Sequence, residues 1–335
     1  MRRIILAAAL TCAPVVVAAA PSITEIIDGH ILPRFEALAV TSKALSDAAM
    51  QTCDPTSDSL RIAYGAAFDA WISASHLRFG PTEVDDRAFA LAFWPDSRGA
   101  TPRALAALIA AEDPIGHDPA AYADVSIAAR GFYAMEFLLY DDDLMQMGTA
   151  AYRCTLVQTM AADIAATSRA IHEDWQSNHA QVLLLPGPNA TYRSEDEVLQ
   201  EFLRALSMGL QFTHDSRLGR PLGTYDRPRP TRAEARRSQR SASHVALSLS
   251  SLRDLAASLA VSDTALSDAL DRQFATALNR LAALEDPTFA GVADPQARLK
   301  IEVIQQSIGA IRTIVQTELG PKLGVAAGFN ALDGD

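Results

Sequence analysis

Lysine is nearly missing from this chain. It occurs only at Lys43, Lys300 and Lys322, and arginine supplies the rest of the positive side-chain charge. Acidic residues outnumber basic ones by 40 to 29, for a net charge of -11. That balance excludes a general nucleic-acid binder and suits a soluble acidic protein. Cysteine is limited to Cys12, Cys53 and Cys154, too sparse for a zinc knuckle and without the Cys-x-x-Cys-His of haem attachment. There is no H-E-x-x-H, no G-x-S-x-G, no Walker loop and no dinucleotide fingerprint, so several common hydrolase and nucleotide chemistries lack their signature. No run alternates with period two, which leaves a sheet without support. What is present is apolar and helical in pattern. Hydrophobic residues make up 49% and charged residues 21% of 335, enough to bury a sizeable core across one large or two ordinary domains.

The first residues read as a signal peptide over 1–19. Arg2 and Arg3 precede a mostly apolar run, and "VVVAAAPS" offers a small-residue cleavage site near Ala19. A lipoprotein form would need Cys12, which follows Thr11 in place of the usual small residue. No later stretch is long and apolar enough to span a bilayer. Export to the periplasm is therefore expected. Cys53 and Cys154 are then the remaining pair, and in an oxidising compartment they are expected to form a disulfide.

Helical periodicity runs nearly throughout, so the fold class is all-α. Ser22 with Glu25 makes a capping box before a first helix, and Pro33 is expected to kink that helix. A second helix spans about residues 59–79 and stops at Gly80-Pro81. Thr101-Pro102 opens a shorter one. Another begins near Ser126 and ends at an aspartate run, and the longest covers about 149–184. Beyond Pro186-Gly187-Pro188, Ser194 with Glu197 caps a further helix. Thr231 with Glu234 reads as another capping box. Helices near 243–259, 262–284 and 295–319 complete the chain. Two antiparallel four-helix-type bundles, over 20–188 and 189–335, fit this punctuation.

Two features carry chemistry. Residues 217–240 hold eight arginines with only Asp226 and Glu234 opposing them. Guanidinium forks suit carboxylates and other anions, and they equally suit a structural hub that crosses between bundles. The second feature is Glu136, in "ARGFYAMEFLLYDDD", a carboxylate inside an apolar helical run. Its helical neighbours are Phe132, Tyr133, Leu139 and Tyr140. A buried carboxylate needs hydrogen bonds, a cation or a metal, and the three-residue spacing from Tyr133 also suits ligands on one helix face. His172 and His179 share a helical face two turns apart and read as solvated.

An ordered set of segments resembles the imelysin family of exported bacterial proteins. These are "HILPRFEALA", "AFDAWISASHLRFGP", "LAFWPDSRG", "ARGFYAMEFLLYD", "LQFTHDSRLGRPLG" and "RPRPTRAEARRSQRSASHVALSLSSL". The resemblance implies two helical bundles with a site between or beside them, expression tied to iron supply, and a periplasmic or outer-membrane location. The family's G-x-H-x-x-E motif carries over at Gly131 and Glu136, but Tyr133 stands in the place of its histidine. Ser75 stands where peptidase-like relatives tend to be acidic. Without the histidine, zinc-type hydrolysis loses its best ligand.

The expected site is thus a cleft around Glu136 and Tyr133, with His30, Arg34 and Arg78 as further ligand-binding candidates. His30 with Glu136 would hold an iron or zinc ion, or Arg78 would be the counter-ion of Glu136. The leading expectation is a non-enzymatic binding or accessory protein for iron or haem acquisition, taking a small anion, a metal ion or a protein partner. Partners would then be iron- or haem-uptake components or an outer-membrane protein. The alternatives are a metal-dependent peptidase, in which Glu136 would be catalytic, and a structural helical module of an outer-membrane complex.

Overall fold

The computed structural model describes residues 20–189 and 191–324. The expected signal segment and Cys12 lie outside the described residues. Among the described residues the regular structure is helical, with one isolated bridge between Thr224 and Arg227. The main helices are α1 (Leu32–Gln51), α2 (Asp58–Ala74), α3 (Ala100–Ala111), α4 (Gly131–Tyr140), α5 (Ala150–Asp174), α6 (Glu195–Gln211), α7 (Ser241–Leu259), α8 (Thr264–Ala282) and α9 (Pro295–Ile314).

The helices form because an apolar stripe recurs at helical spacing, and the starts of α2, α5, α6, α8 and α9 are capped by a side chain. Phe35, Leu38, Leu45 and Ala49 of α1 are fully buried, as are Leu156, Met160, Ile164 and Ile171 of α5. Burying each large side chain of this kind contributes about 1.5–3 kcal/mol. Ser42 and Ser168 lie in the α1–α5 contact, with their hydroxyls hydrogen-bonded at 3.1 Å. Asp263 and Asp294 cap α8 and α9 through their side chains, satisfying N–H groups that the helix start leaves open.

The first half packs α1 against α2 and α5, with α4 laid on α5. The second packs α6, α7, α8 and α9. The halves meet where α7 lies along α2. Cys53, just past α1, is disulfide-bonded to Cys154 in the first turns of α5, with Cα atoms 5.0 Å apart. A cross-link closing a loop of this order restricts the unfolded chain by about 4–5 kcal/mol in the chain-entropy view.

Two expectations about local structure are corrected, at Thr231 with Glu234 and at His172 with His179. Pro33, expected to kink its helix, sits in the first turn of α1 beside an irregularity of the kind that accompanies kinks. A π turn at Ile27–Ile31 precedes it, and such a turn absorbs the hydrogen bond that proline cannot donate. Thr231 and Glu234 do not cap a helix. Only a short 3-10 turn, Pro230–Arg232, forms there, and Glu234 turns inward and is 1% exposed. His172 and His179 are half-buried, because the π turn Trp175–His179 carries the His179 ring onto Trp175, with centroids 4.9 Å apart.

Candidate functional site

The helix carrying Glu136 is held from several sides. Gly131 opens α4 with φ 75°, and a Cβ there would collide with the carbonyls of Ala90 and Leu91. Only glycine tolerates both conditions. Before it, Arg130 makes a buried two-point pair with Asp163 of α5, at 2.9 and 2.6 Å. Arg61 of α2 donates to the Leu139 carbonyl at 2.9 Å and lies over the Tyr140 ring. These contacts fix α4 against α2 and α5 with Tyr133 and Glu136 facing the second half.

What they face is the arginine-rich segment. Glu136 is 3% exposed. Its Oε1 accepts from the Ser238 N–H at 2.9 Å and from the Ser238 hydroxyl at 2.7 Å. Burial raises its carboxyl above the usual value, and the two Ser238 donors and the Arg237 charge offset this only in part. Tyr133 donates its hydroxyl to Glu234 Oε1. Burial first, and the Glu234 charge second, push the Tyr133 phenol well above its ordinary value, so it remains a neutral donor.

Glu234 is the node of this network. Its Oε2 accepts from Arg217 Nε at 2.8 Å, and His244 Nδ1 lies 3.4 Å from the same oxygen. Burial opposes its charge, but Arg217, His244 and Tyr133 outweigh that and hold the carboxyl at about 2. Arg217 also reaches Thr213, Ser248 and Ser75. The arginine is aimed inward by a π turn at Phe212–Leu218. Neighbouring arginines tie the same segment to the first half, Arg237 to Asp141 at 2.7 Å and Arg240 to Asp69.

Two clefts of about 240 Å³ each flank the shared wall of Trp94 and Tyr133. One is lined by Glu136, Phe137, Asp96, Arg220, Arg232 and Arg237 among others. Asp96 accepts backbone N–H bonds from Arg98, Ala100 and Thr101 at the start of α3. Partial burial works against its ionisation, but these donors prevail and hold the carboxyl below its usual value. The other cleft is more apolar, with Trp71, Phe89, Met208 and Phe212 around His76, Arg78 and Arg217.

The expected site residues are only partly brought together. Glu136 and Tyr133 share the first cleft with the arginine-rich segment. His30 does not meet Glu136. Its Nε2 lies 2.8 Å from His76 Nε2. Burial above all holds both imidazoles neutral, helped at His30 by the charge of His76 and at His76 by those of Arg34 and Arg217, with His76 lowered to about 3. Arg78 is not the counter-ion of Glu136 either. It pairs with Glu83 at 2.6 Å, its neighbour in the turn that follows α2, and borders the second cleft. Arg34 bridges the halves instead, to Asp254 at 2.8 Å and to the Ser251 hydroxyl.

The donor set at Glu136 does not fit a metal. One oxygen is occupied by two Ser238 donors and the nearby phenol is protonated and bonded elsewhere. Among the described residues no group of three or more His, Cys, Asp or Glu is arranged to hold an ion. Glu234 and Ser238 were not found by sequence reasoning. The capping pattern at Thr231 and Glu234 concealed the first, and a serine among arginines carries no signal of its own.

An all-α protein of two packed helical bundles, with an arginine-lined cleft at their seam, is the class that this architecture defines. The chain belongs to the imelysin family, whose model matches residues 31–315. It is similar to iron-regulated protein A of Synechococcus elongatus, 25% identical over 329 residues, covering 90% of this chain and 85% of that protein. Solved structures share the fold. An imelysin-like protein from Psychrobacter arcticum superposes with a TM-score of 0.76 at 21% identity, covering 92% of this chain and 96% of that one. An iron-regulated protein A precursor from Parabacteroides distasonis gives 0.73 at 13% identity, covering 89% and 95%.

Proposed function

We propose that this chain is an exported, periplasmic binding protein serving iron supply, and that the Glu136–Tyr133 cleft holds a small ligand without hydrolysing peptides. The observation that carries this reading is the commitment of Tyr133 to Glu234. A hydrolytic site on this helix would need a metal ligand or proton acceptor at position 133, and a neutral phenol that donates to a buried carboxylate is neither. The iron context comes from the names of relatives, which are iron-regulated proteins, and one of them is a precursor. No described helix is long and apolar enough to cross a membrane, which agrees with release after export.

The peptidase reading keeps one support, the family to which the chain belongs. Incubation of the purified protein with insulin chain and casein, with and without chelator, separates the two. The binding-protein reading expects both substrates to remain intact. Chelator-sensitive cleavage that disappears in Glu136→Gln would establish the peptidase instead.

A further inference from the structure

Most arginines of residues 217–240 that face the seam are neutralised. Arg217 has Glu234, Arg237 has Asp141 and Arg240 has Asp69. Arg220 and Arg232 differ. Both line the first cleft, and among the described residues neither takes part in an ion pair. Arg220 is half-buried, with its guanidinium 5.7 Å from the centre of the Trp94 ring, and its Nε is buried with no hydrogen-bond partner. Burial first, and the charge of Arg232 second, lower its affinity for its own proton. Arg232 is exposed and Arg220 is partly desolvated, and an anion in the cleft that both line would relieve their like charges and meet the open Arg220 Nε.

The opposite wall narrows the choice. Glu136 and Asp96 line the same cleft. Both Ser238 hydrogen bonds fall on Glu136 Oε1, so Oε2 is the oxygen available to a ligand. A compact dianion such as phosphate would meet two carboxylates there. A carboxylate that also carries a hydroxyl or amino donor would satisfy both walls, with its planar anion on the guanidinium forks and its donor on Glu136. We infer that Arg220 and Arg232 form the anion-binding half of this cleft, and that its ligand is a small carboxylate bearing a hydrogen-bond donor. This rests on the binding-protein reading and specifies its ligand class.

The test is calorimetric titration of the purified protein with L-malate, L-glutamate, succinate and inorganic phosphate at matched ionic strength. Malate, glutamate or both should bind at least tenfold more tightly than succinate, which lacks the donor, and than phosphate. Malate alone would identify a hydroxy acid as the source of the donor, and glutamate alone an amino acid. Arg220→Gln and Arg232→Gln should each weaken that binding by at least tenfold. Neither arginine has an ion-pair partner to strand, so their unfolding midpoints should stay close to the wild-type value. Silence with all four probes, equal binding of phosphate, equal binding of succinate, or undiminished binding in the variants would overturn the inference. Such failure in a protein that leaves insulin chain and casein intact sinks the ligand class alone. Chelator-sensitive cleavage sinks the binding-protein reading itself.

Discussion

Glu136 and Glu234 are both buried at the seam between the two bundles, and both accept from a residue of the opposite half. Their surroundings nevertheless drive them in opposite directions. Glu234 has a guanidinium, an imidazole and a phenol around it, and its carboxyl is held at about 2. Glu136 has two donors from one serine and a more distant arginine, and burial leaves its carboxyl raised. The first arrangement is a buried ion network around Glu234, in which Arg217 also donates to three hydroxyls and His244 lies beside the carboxylate without a hydrogen bond of its own. The second leaves an oxygen on the wall of a cleft that also holds two arginines without ion-pair partners. The contrast separates what locks the bundles together from what is left to bind.

The largest effect should come from breaking the buried network. Glu234→Ala strands Arg217 and His244 in the interior and should cost about 3–5 kcal/mol, read by urea unfolding. A loss under about 1 kcal/mol would mean that the network is not the lock described here. Tyr133→Phe removes one hydroxyl from the same node and should cost about 1 kcal/mol, with no change in any peptidase assay.

Acid should act on the His30–His76 pair first and on the Glu234 lock only at lower pH. Glu234 has a depressed folded value, so its contribution is full above its ordinary 4.5 and fades as pH falls toward about 2. The His30–His76 pair is held neutral in the fold but takes up protons near 6.5 when unfolded, so stability also falls as pH drops from 6.5 toward 3. His76→Gln should flatten the stability profile between pH 6 and pH 4. An unchanged slope there would count against the neutral pair.

The smallest effect should belong to Glu136→Gln. The amide oxygen can still accept from Ser238, and the variant lacks the charge that burial opposes. It should lie within about 1 kcal/mol of wild type at pH 7, on the stabilising side, with that gain vanishing below pH 4.5. The sign follows because a carboxyl raised by folding makes the fold less stable as pH climbs through its window. A loss as large as that of Glu234→Ala would erase the distinction between the two carboxylates.

Much of the fold was legible because helices announce themselves locally. The helical patterns of α1, α2 and α6, and the cap residue before α6, follow from spacing and from the donors that a helix start leaves open. Glu136 was legible as an anomaly, a charge within an apolar run. Its partners were not, because they come from more than 100 residues away and are chosen by tertiary packing. The same spacing that caps a helix at Ser194 and Glu197 occurs at Thr231 and Glu234, where no helix forms and the glutamate is drawn inward by Arg217. His30 read as a partner for Glu136 because both lie on helices of one bundle. Packing instead sets its ring against His76, a residue that no motif singled out.

Glu136 and Tyr133, hydrogen-bonded to Ser238 and Glu234, wall the first cleft in a way that leaves no place for a metal between them. Elemental analysis of the purified protein tests this most directly. Iron and zinc should both be well below one ion per chain, and Glu136→Ala should leave those values unchanged. One ion per chain in the wild type, lost in Glu136→Ala, would contradict the account.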